Sequence, residues 1–331
     1  MLKVGIVGSG LMGKTHAAAW AHTSATLAGV YSVDGERAAT LASEYQTQSF
    51  SDLDALLKQV DVVDICTPTH AHHSVAIRAA EAGKHVVCEK PLARTHQQGR
   101  EMIAACEKAG VQLLVAHVVR FFPEYARTKA VVERGDIGRV AVVRLTRCSA
   151  LPVWATDNWL MDSEKSGGMM LDLMVHDFDY ARWVAGDVES VYARSVRGQN
   201  PGAREDYGLV ILQHRNGTIS NVEGGWAYPQ GMFRTALEVA GDVGLIEHPA
   251  GSSAPLGIHL KEQAGSANVV VPRSPLIEDP YTTEIKHFYD VLVHGVEPRV
   301  TAADGLAALE IGLAAIESAR SGRRVRIEEV Q

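Results

Sequence analysis

Leu2-Lys3-Val4-Gly5-Ile6-Val7-Gly8-Ser9-Gly10-Leu11-Met12-Gly13 is an apolar run that ends in glycines spaced as GxGxxG. The run reads as a buried strand, and Lys14 to His22 behind it reads as a helix. In that context each glycine has its own reason. Gly8 permits a tight turn, Gly10 lets the backbone approach a pyrophosphate, and Gly13 lets helix and strand pack closely. The helix N-terminus offers free N–H groups and a favourable dipole to phosphates, so Ser9, Leu11 and Met12 join the glycines as expected cofactor contacts. The stretch predicts a dinucleotide-binding α/β domain.

Outward from it, strands and helices alternate. A strand from Ala25 to Val33 precedes a helix from Glu36 to Tyr45. Dinucleotide folds usually carry an acid for the adenosine ribose at this strand's end, and here Ser32 stands there, with Asp34 two residues later. An acid repels the 2′-phosphate of NADP and so favours NAD. Serine tolerates that phosphate, and Arg37 at the next helix start is placed to pair with it. Arg37 also reads as an ordinary exposed helix residue and Asp34 as reaching the ribose. The cofactor is therefore NAD or NADP, with Ser32 tipping the balance towards NADP.

Val62 to Cys66 is the next strand, and Thr67-Pro68-Thr69-His70-Ala71-His72-His73 turns into a helix ending near Gly83. Three histidines suggest a metal, but no carboxylate or thiolate accompanies them at ligand spacing, so no metal site is expected. The turn reads better as lying over the nicotinamide side of the cofactor, through Thr67, Pro68 and His72. His85-Val86-Val87-Cys88-Glu89-Lys90-Pro91 follows, an apolar run that stops at an acid, a base and a proline. Open α/β sheets place ligands at the carboxyl ends of their strands, which puts Glu89, Lys90 and Pro91 beside the cofactor. Taken alone, Lys90 reads as a lysine snorkelling into water. A helix from Thr95 to Ala109 and a strand from Val111 to Ala116 close this half.

Near residue 118 the pattern changes to period-2 runs: Arg139–Cys148, Val188–Val196, Tyr207–His214, Thr218–Val222 and Thr235–Ala240. Asn216-Gly217 is a signal for a two-residue hairpin loop. The expectation is a Rossmann domain over residues 1–118 and an α+β domain over 119–331, built on a large, mostly antiparallel sheet. Within it, Ser166-Gly167-Gly168 introduces a helix from Met169 to Val184, closed by Gly186. Asp172 and His176 are four apart on that helix and so share a face. Leu171, Leu173, Met174, Val175 and Phe178 make the segment too apolar for a solvated face, and a buried carboxylate and imidazole need partners.

These stretches together resemble the glucose–fructose oxidoreductase / inositol dehydrogenase / rhizopine-catabolism (Gfo/Idh/MocA) family of NAD(P)-dependent oxidoreductases. The matching segments are Gly8–Gly13, Thr67–His72, Gly83–Pro91, Gly167–Asp177, Arg120-Phe121 and Asp279-Pro280-Tyr281, which span essentially the whole chain. The resemblance implies that Lys90, Asp172 and His176 form the catalytic group and that the Lys90–Pro91 peptide is cis. It implies hydride transfer between nicotinamide and a secondary hydroxyl of a sugar, sugar derivative or cyclitol. The departure is Ser32, where many members carry Asp. Two other readings keep the cofactor: an NAD-dependent glycosidase using transient oxidation, and a non-catalytic NAD(P)-binding sensor.

For the substrate, the segment Leu151–Trp159 carries Trp154 and Asn158, and tryptophan faces beside amides suit a sugar ring. The same tryptophans read equally well as core or oligomer contacts. Tyr228 and Arg120 are further candidates, Arg120 also reading as a structural ion pair. The 331 residues carry a net charge of −7, which argues against nucleic acid or anionic membrane as partner. Cys66, Cys88, Cys106 and Cys148 show no CxxC spacing and read as small buried hydrophobes of a reducing compartment. No leader is apparent and no apolar run nears the roughly 20 residues that span a bilayer. A cytosolic homo-oligomer, dimer or tetramer, is expected.

Overall fold

The computed structural model describes residues 1–152, 156–196, 206–248 and 278–331. The chain opens with β1 (Lys3–Val7), α1 (Leu11–Trp20), β2 (Thr26–Tyr31), α2 (Gly35–Glu44), β3 (Ser49–Phe50) and α3 (Leu53–Leu57). It continues with β4 (Val62–Ile65), α4 (His72–Glu81), β5 (His85–Glu89), α5 (His96–Ala109) and β6 (Leu113–Ala116). All six strands run parallel, in the order β3-β2-β1-β4-β5-β6. Strands β4 and β6 are buried throughout, which is why they read as unbroken apolar runs rather than alternating ones. The order reverses between β1 and β4, and there such sheets open a crevice at the carboxyl ends of their strands. Strand β3 and helix α3 were not expected: two residues hold no period, and the one local signal is Asp52, whose side chain caps α3 by accepting from Ala55 N–H.

Next come α6 (Pro123–Glu133), β7 (Val140–Ser149), α7 (Ser163–Ser166), α8 (Gly168–Asp172) and α9 (Val175–Ala185). They are followed by β8 (Val188–Val196), β9 (Tyr207–His214), β10 (Ile219–Gly225), β11 (Phe233–Gly241) and β12 (Leu245–His248). The chain ends with α10 (Pro280–His294), α11 (Ala302–Ser321) and β13 (Val325–Arg326). The second sheet has the order β12-β11-β7-β10-β9-β8-β13, and only its β7–β10 pairing is parallel. The alternation expected for one covered face is clear in β9, where Gly208, Val210, Leu212 and His214 are buried while Leu209 and Ile211 are exposed.

Three expectations are corrected. The chain divides into two compact units, and the first is residues 1–121 joined by the described residues 278–306, not residues 1–118 alone. Helix α10 returns to this unit because its buried face, Ile285, Phe288 and Val291, needs an apolar partner. It finds one in Phe121, whose ring lies 6.2 Å from that of Phe288 and 5.6 Å from that of His287. The Asn216-Gly217 loop has three residues rather than two. His214 N–H donates to Thr218 O across it and Gly217 N–H to His214 O, with Gly217 at φ +90° supplying the left-handed residue. Finally, the helix expected over Met169–Val184 is two helices, α8 and α9, joined by a wide turn. Leu173 N–H and Met174 N–H both donate to Met169 O, at 2.8 and 3.2 Å, the second being an i→i+5 bond of π type.

Among the described residues, no helix is long and apolar enough to cross a membrane.

Candidate active site

In the first unit the three glycines of the opening turn are small for different reasons. Gly8 has φ +110°, and a side chain there would bring its Cβ to 2.5 Å from Cys66 O. A Cβ on Gly13 would lie 2.0 Å from Gly8 O, so this glycine lets α1 pass close to the turn. At Gly10 a Cβ would meet no described atom within 4 Å. Among the described residues nothing requires its smallness, and it precedes the first turn of α1, which carries no side-chain cap. An exposed glycine at an uncapped helix N-terminus fits the close approach of a pyrophosphate. Ser9 is buried beneath the turn, and Leu11 and Met12 are half-buried.

Ser32 directly follows β2, and its Oγ accepts from Asp34 N–H at 3.3 Å. Asp34 is the N-cap of α2: one carboxylate oxygen accepts from Arg37 N–H at 3.0 Å and the other pairs with Arg37 Nε at 3.2 Å. No carboxylate therefore stands at the strand end itself, and the acid two residues on is engaged with the helix it starts.

The histidines after β4 go to different surroundings. His70 is exposed, His73 meets Glu101 at 2.7 Å, and His72 is buried. The His72 ring lies 3.0 Å from Thr67 O through Nε2 and 3.0 Å from Pro91 O through Nδ1. Burial pushes its pKa down against the upward pull of those carbonyls. His72, expected as a cofactor contact, is thus a tie between the loops after β4 and β5. The half-buried Thr67 and Pro68 stand at the carboxyl end of β4, as expected.

Lys90 is half-buried and directly follows β5, and its peptide with Pro91 is cis. Pro91 itself is buried. Glu89 departs from the expectation of a cofactor contact because both its oxygens are spent inside the protein. Oε2 accepts from Lys90 N–H at 3.0 Å, and Oε1 lies 3.1 Å from His16 Nε2. The other His16 nitrogen reaches Asp64, which also accepts from Trp20 Nε1 at 2.7 Å. Sequence reasoning passed over His16, Trp20 and Asp64. The signal was there: an aspartate inside the apolar strand Val62–Ile65 requires a buried partner.

In the second unit, Asp172 ends α8 and His176 lies in the first turn of α9. Both are half-buried, whereas Leu171, Met174, Val175 and Phe178 are fully buried. The expected pattern of two polar groups emerging from an apolar segment is present, with the wide turn between them. Next in sequence, Asp177 is fully buried and fastens α9 to β7 through Arg147, with contacts of 2.7 and 3.1 Å. Burial pushes the Asp177 pKa up, and the guanidinium pulls it back without reversing the shift.

The expected substrate residues fare unevenly. Arg120 is 1% exposed and donates to Arg299 O at 2.8 Å and to Asp304 at 3.3 Å, so it is a structural residue of the first unit. Asn158 is exposed at φ +49°, a left-handed conformation that asparagine tolerates. Tyr228 is half-buried beside Cys148, and burial, then that thiol, push its pKa up. Trp154 lies outside the described residues.

A parallel sheet with an open glycine turn, followed by a mostly antiparallel sheet domain with a half-buried Asp–His pair, defines a class of dinucleotide-dependent enzymes. Comparison with known proteins makes the class specific. Residues 2–117 match the family described as oxidoreductase family, NAD-binding Rossmann fold, and residues 125–247 match the GFO/IDH/MocA C-terminal domain. The chain is 30% identical to the oxidoreductase YrbE of Bacillus subtilis, over 99% of this chain and 97% of that one. It is 29% identical to the myo-inositol 2-dehydrogenase of Thermotoga maritima, over 99% of each. The crystal structure of GenD2 from gentamicin A biosynthesis, in complex with NAD, matches with a TM-score of 0.87 at 26% identity, over 98% of this chain and 96% of that one. The chain belongs to the GFO/IDH/MocA family of oxidoreductases.

Proposed function

We propose that the protein is an NAD(P)-dependent dehydrogenase acting on a secondary hydroxyl of a sugar, sugar derivative or cyclitol, with Lys90, Asp172 and His176 as its catalytic residues. The observation that carries this reading is the half-buried Asp172/His176 pair in an otherwise buried segment, in a chain whose dinucleotide unit presents Lys90 at a strand's carboxyl end. A cyclitol dehydrogenase among the relatives and NAD in a matching structure support it.

The cofactor, when bound, supplies the hydride acceptor. The protein's own groups manage the proton. His176 takes the hydroxyl proton on a ring nitrogen as the carbonyl forms. Asp172 orients the ring and supports the imidazolium. The Lys90 ammonium donates a hydrogen bond to the reacting oxygen and stabilises the negative charge that develops there.

NADP is accepted as well as NAD in this reading. No carboxylate occupies the end of β2, and the pair that Arg37 makes with Asp34 is exposed, of a kind worth about 0–1 kcal/mol. Such a pair yields readily to a 2′-phosphate. A homo-oligomer is supported by the outward face of the second sheet, where Tyr192, Leu209, Ile211 and Ile219 are 36%, 50%, 46% and 43% exposed on adjoining strands.

The test is a panel of sugars and cyclitols, myo-inositol included, assayed with NAD and NADP in parallel at the nicotinamide absorbance band. Net reduction of the cofactor supports the dehydrogenase. Sugar release from glycosides without net reduction overturns it in favour of transient oxidation, and cofactor binding with neither outcome overturns it in favour of a sensor.

A further inference from the structure

His16 projects from α1 three residues beyond Gly13 and is fully buried. Its Nδ1 lies 2.9 and 3.0 Å from the two oxygens of Asp64, and its Nε2 lies 3.1 Å from Glu89 Oε1. A neutral imidazole has one N–H, so in that form one ring nitrogen would set a lone pair against a carboxylate. Asp64 is an acceptor on every side, taking the Trp20 indole N–H at 2.7 Å and the Cys66 thiol at 3.5 Å. Glu89 likewise accepts, from Lys90 N–H at 3.0 Å. With both carboxylates ionised, the ring satisfies every group only as an imidazolium that donates from both nitrogens.

We propose that His16 is a standing imidazolium that clamps Asp64 to Glu89 and, through Glu89, fixes the main chain of Lys90. His16 is then a positioning residue for the lysine, which it does not touch. The inference rests on the proposed function only in taking Lys90 as catalytic.

The surroundings supply the charge balance. Asp64 faces the ring from β4, Cys66 from just beyond it, Glu89 from β5 and the Trp20 indole from α1. From α10, Tyr281 acts on the same cluster; burial, then Glu89 and Glu284, push its pKa up and keep its hydroxyl neutral. Burial pushes the Cys66 thiol up as well. The two carboxylates facing the ring, Asp64 and Glu89, are thus matched by two cations, His16 and the adjoining Lys90. Burial pulls the imidazole pKa down, but Asp64 and then Cys66 outweigh it, and the result stands well above the ordinary value. Without the ring's charge, two buried carboxylates would face the single charge of Lys90. Glu89 would lose the cation that holds its pKa down and take up a proton more readily, and a protonated Glu89 would no longer offer the Lys90 amide a charged acceptor.

The ligand atoms of His16, Asp64 and Cys66 lie within 4.8 Å of one another, a spacing that would also suit a metal ion. A metal would require Cys66 as thiolate and would compete with the Trp20 N–H for Asp64, so it is an outcome to test.

Two measurements decide. In the wild-type protein labelled with 15N-histidine, His16 is expected to show both ring nitrogens protonated at neutral pH, above the ordinary imidazole value of 6.5. A neutral tautomer at neutral pH, or stoichiometric metal in the purified protein, overturns the clamp. This readout needs no substrate, so it stands even if the panel finds none. In the second, His16→Gln is expected to lower kcat at least about tenfold on a panel compound that the wild type turns over, while NADH binds within about threefold of wild type. A merely structural histidine would lower the melting temperature and leave kcat per folded molecule unchanged. That result, or equal loss of cofactor binding, overturns the positioning role.

Discussion

The Met174 side chain fills the space that a side chain on Gly224 would need: a Cβ there would lie 2.4 Å from Met174 Cγ and 2.9 Å from its Sδ. Gly224 is paired with Gly208 across β9 and β10, and a Cβ on Gly208 would meet the same sulfur at 3.2 Å. The two glycines form a notch in the second sheet, and the residue seated in it belongs to the wide turn between Asp172 and His176. Gly224→Ala should therefore cost about 1–3 kcal/mol, as overpacking does, because the clash falls on Cγ near the backbone. It should also lower turnover by moving the Asp172–His176 turn. Urea unfolding and steady-state kinetics check both effects, and unchanged stability would mean that Met174 is not held in the notch.

The glycines of the opening turn separate folding from cofactor binding. Gly13→Ala places a Cβ 2.0 Å from Gly8 O, a backbone atom that cannot swing aside, so the variant should lose stability and NADH affinity together. Gly10→Ala meets no described atom within 4 Å. It should melt like the wild type yet bind NADH at least about tenfold more weakly, a difference of about 1.4 kcal/mol. Thermal melts with NADH titration distinguish the two. Equal affinity in Gly10→Ala would show that no pyrophosphate approaches that residue.

The strands of the first sheet were legible because both faces are buried, so Val62–Ile65 and Leu113–Ala116 stand out as apolar runs. Asp172 and His176 were legible as half-buried groups because polar residues in an apolar segment need partners, whereas Lys90 alone read as a solvated lysine and drew its proposed role from the family resemblance. What stayed hidden depends on distant partners. Arg120 and Glu89 have the chemistry of ligand contacts, but their partners, Arg299 and Asp304 for one and His16 for the other, lie far off in sequence. The break between α8 and α9 is equally non-local, since the notch that receives Met174 lies on β9 and β10. Helix α10 joins the first unit through Phe121, a contact that helical periodicity cannot assign.

The pH dependence of stability has two limbs set by one cluster. The His16 pKa is raised above its ordinary 6.5, so its contribution is complete below that value and is lost as pH rises through the higher folded value. Glu89 has the opposite sign. Burial pushes it up, but the hydrogen bond and charge of His16, then Lys90, bring it below its ordinary 4.5. Its contribution is therefore present above 4.5 and is lost as pH falls through the lower folded value. The wild type should show a plateau of melting temperature between the limbs. In His16→Gln the alkaline decline due to this group should vanish and the acid decline should begin at higher pH, because Glu89 loses its cation. Melting curves from about pH 4 to about pH 10 test this, and an unchanged alkaline limb would contradict it.

The last prediction separates chemistry from binding. If His176 is the general base, His176→Ala should lower kcat by about 10²–10⁴-fold. Its KM should change little, because no ground-state binding is assigned to the ring. Lys90→Met keeps the length of the side chain and removes the ammonium. The glycine turn expected to hold the pyrophosphate follows β1 and Lys90 follows β5, so NADH affinity should stay near wild type while turnover nearly disappears. The loss should appear in kcat, because the ammonium acts on charge that develops only as the reaction proceeds. Lys90→Arg keeps the charge but spreads it over a planar group, and should recover only part of the rate. If Lys90→Met instead weakens turnover and cofactor binding slightly and equally, Lys90 is a solvated strand-end lysine, and the assignment of the catalytic group fails at its first member.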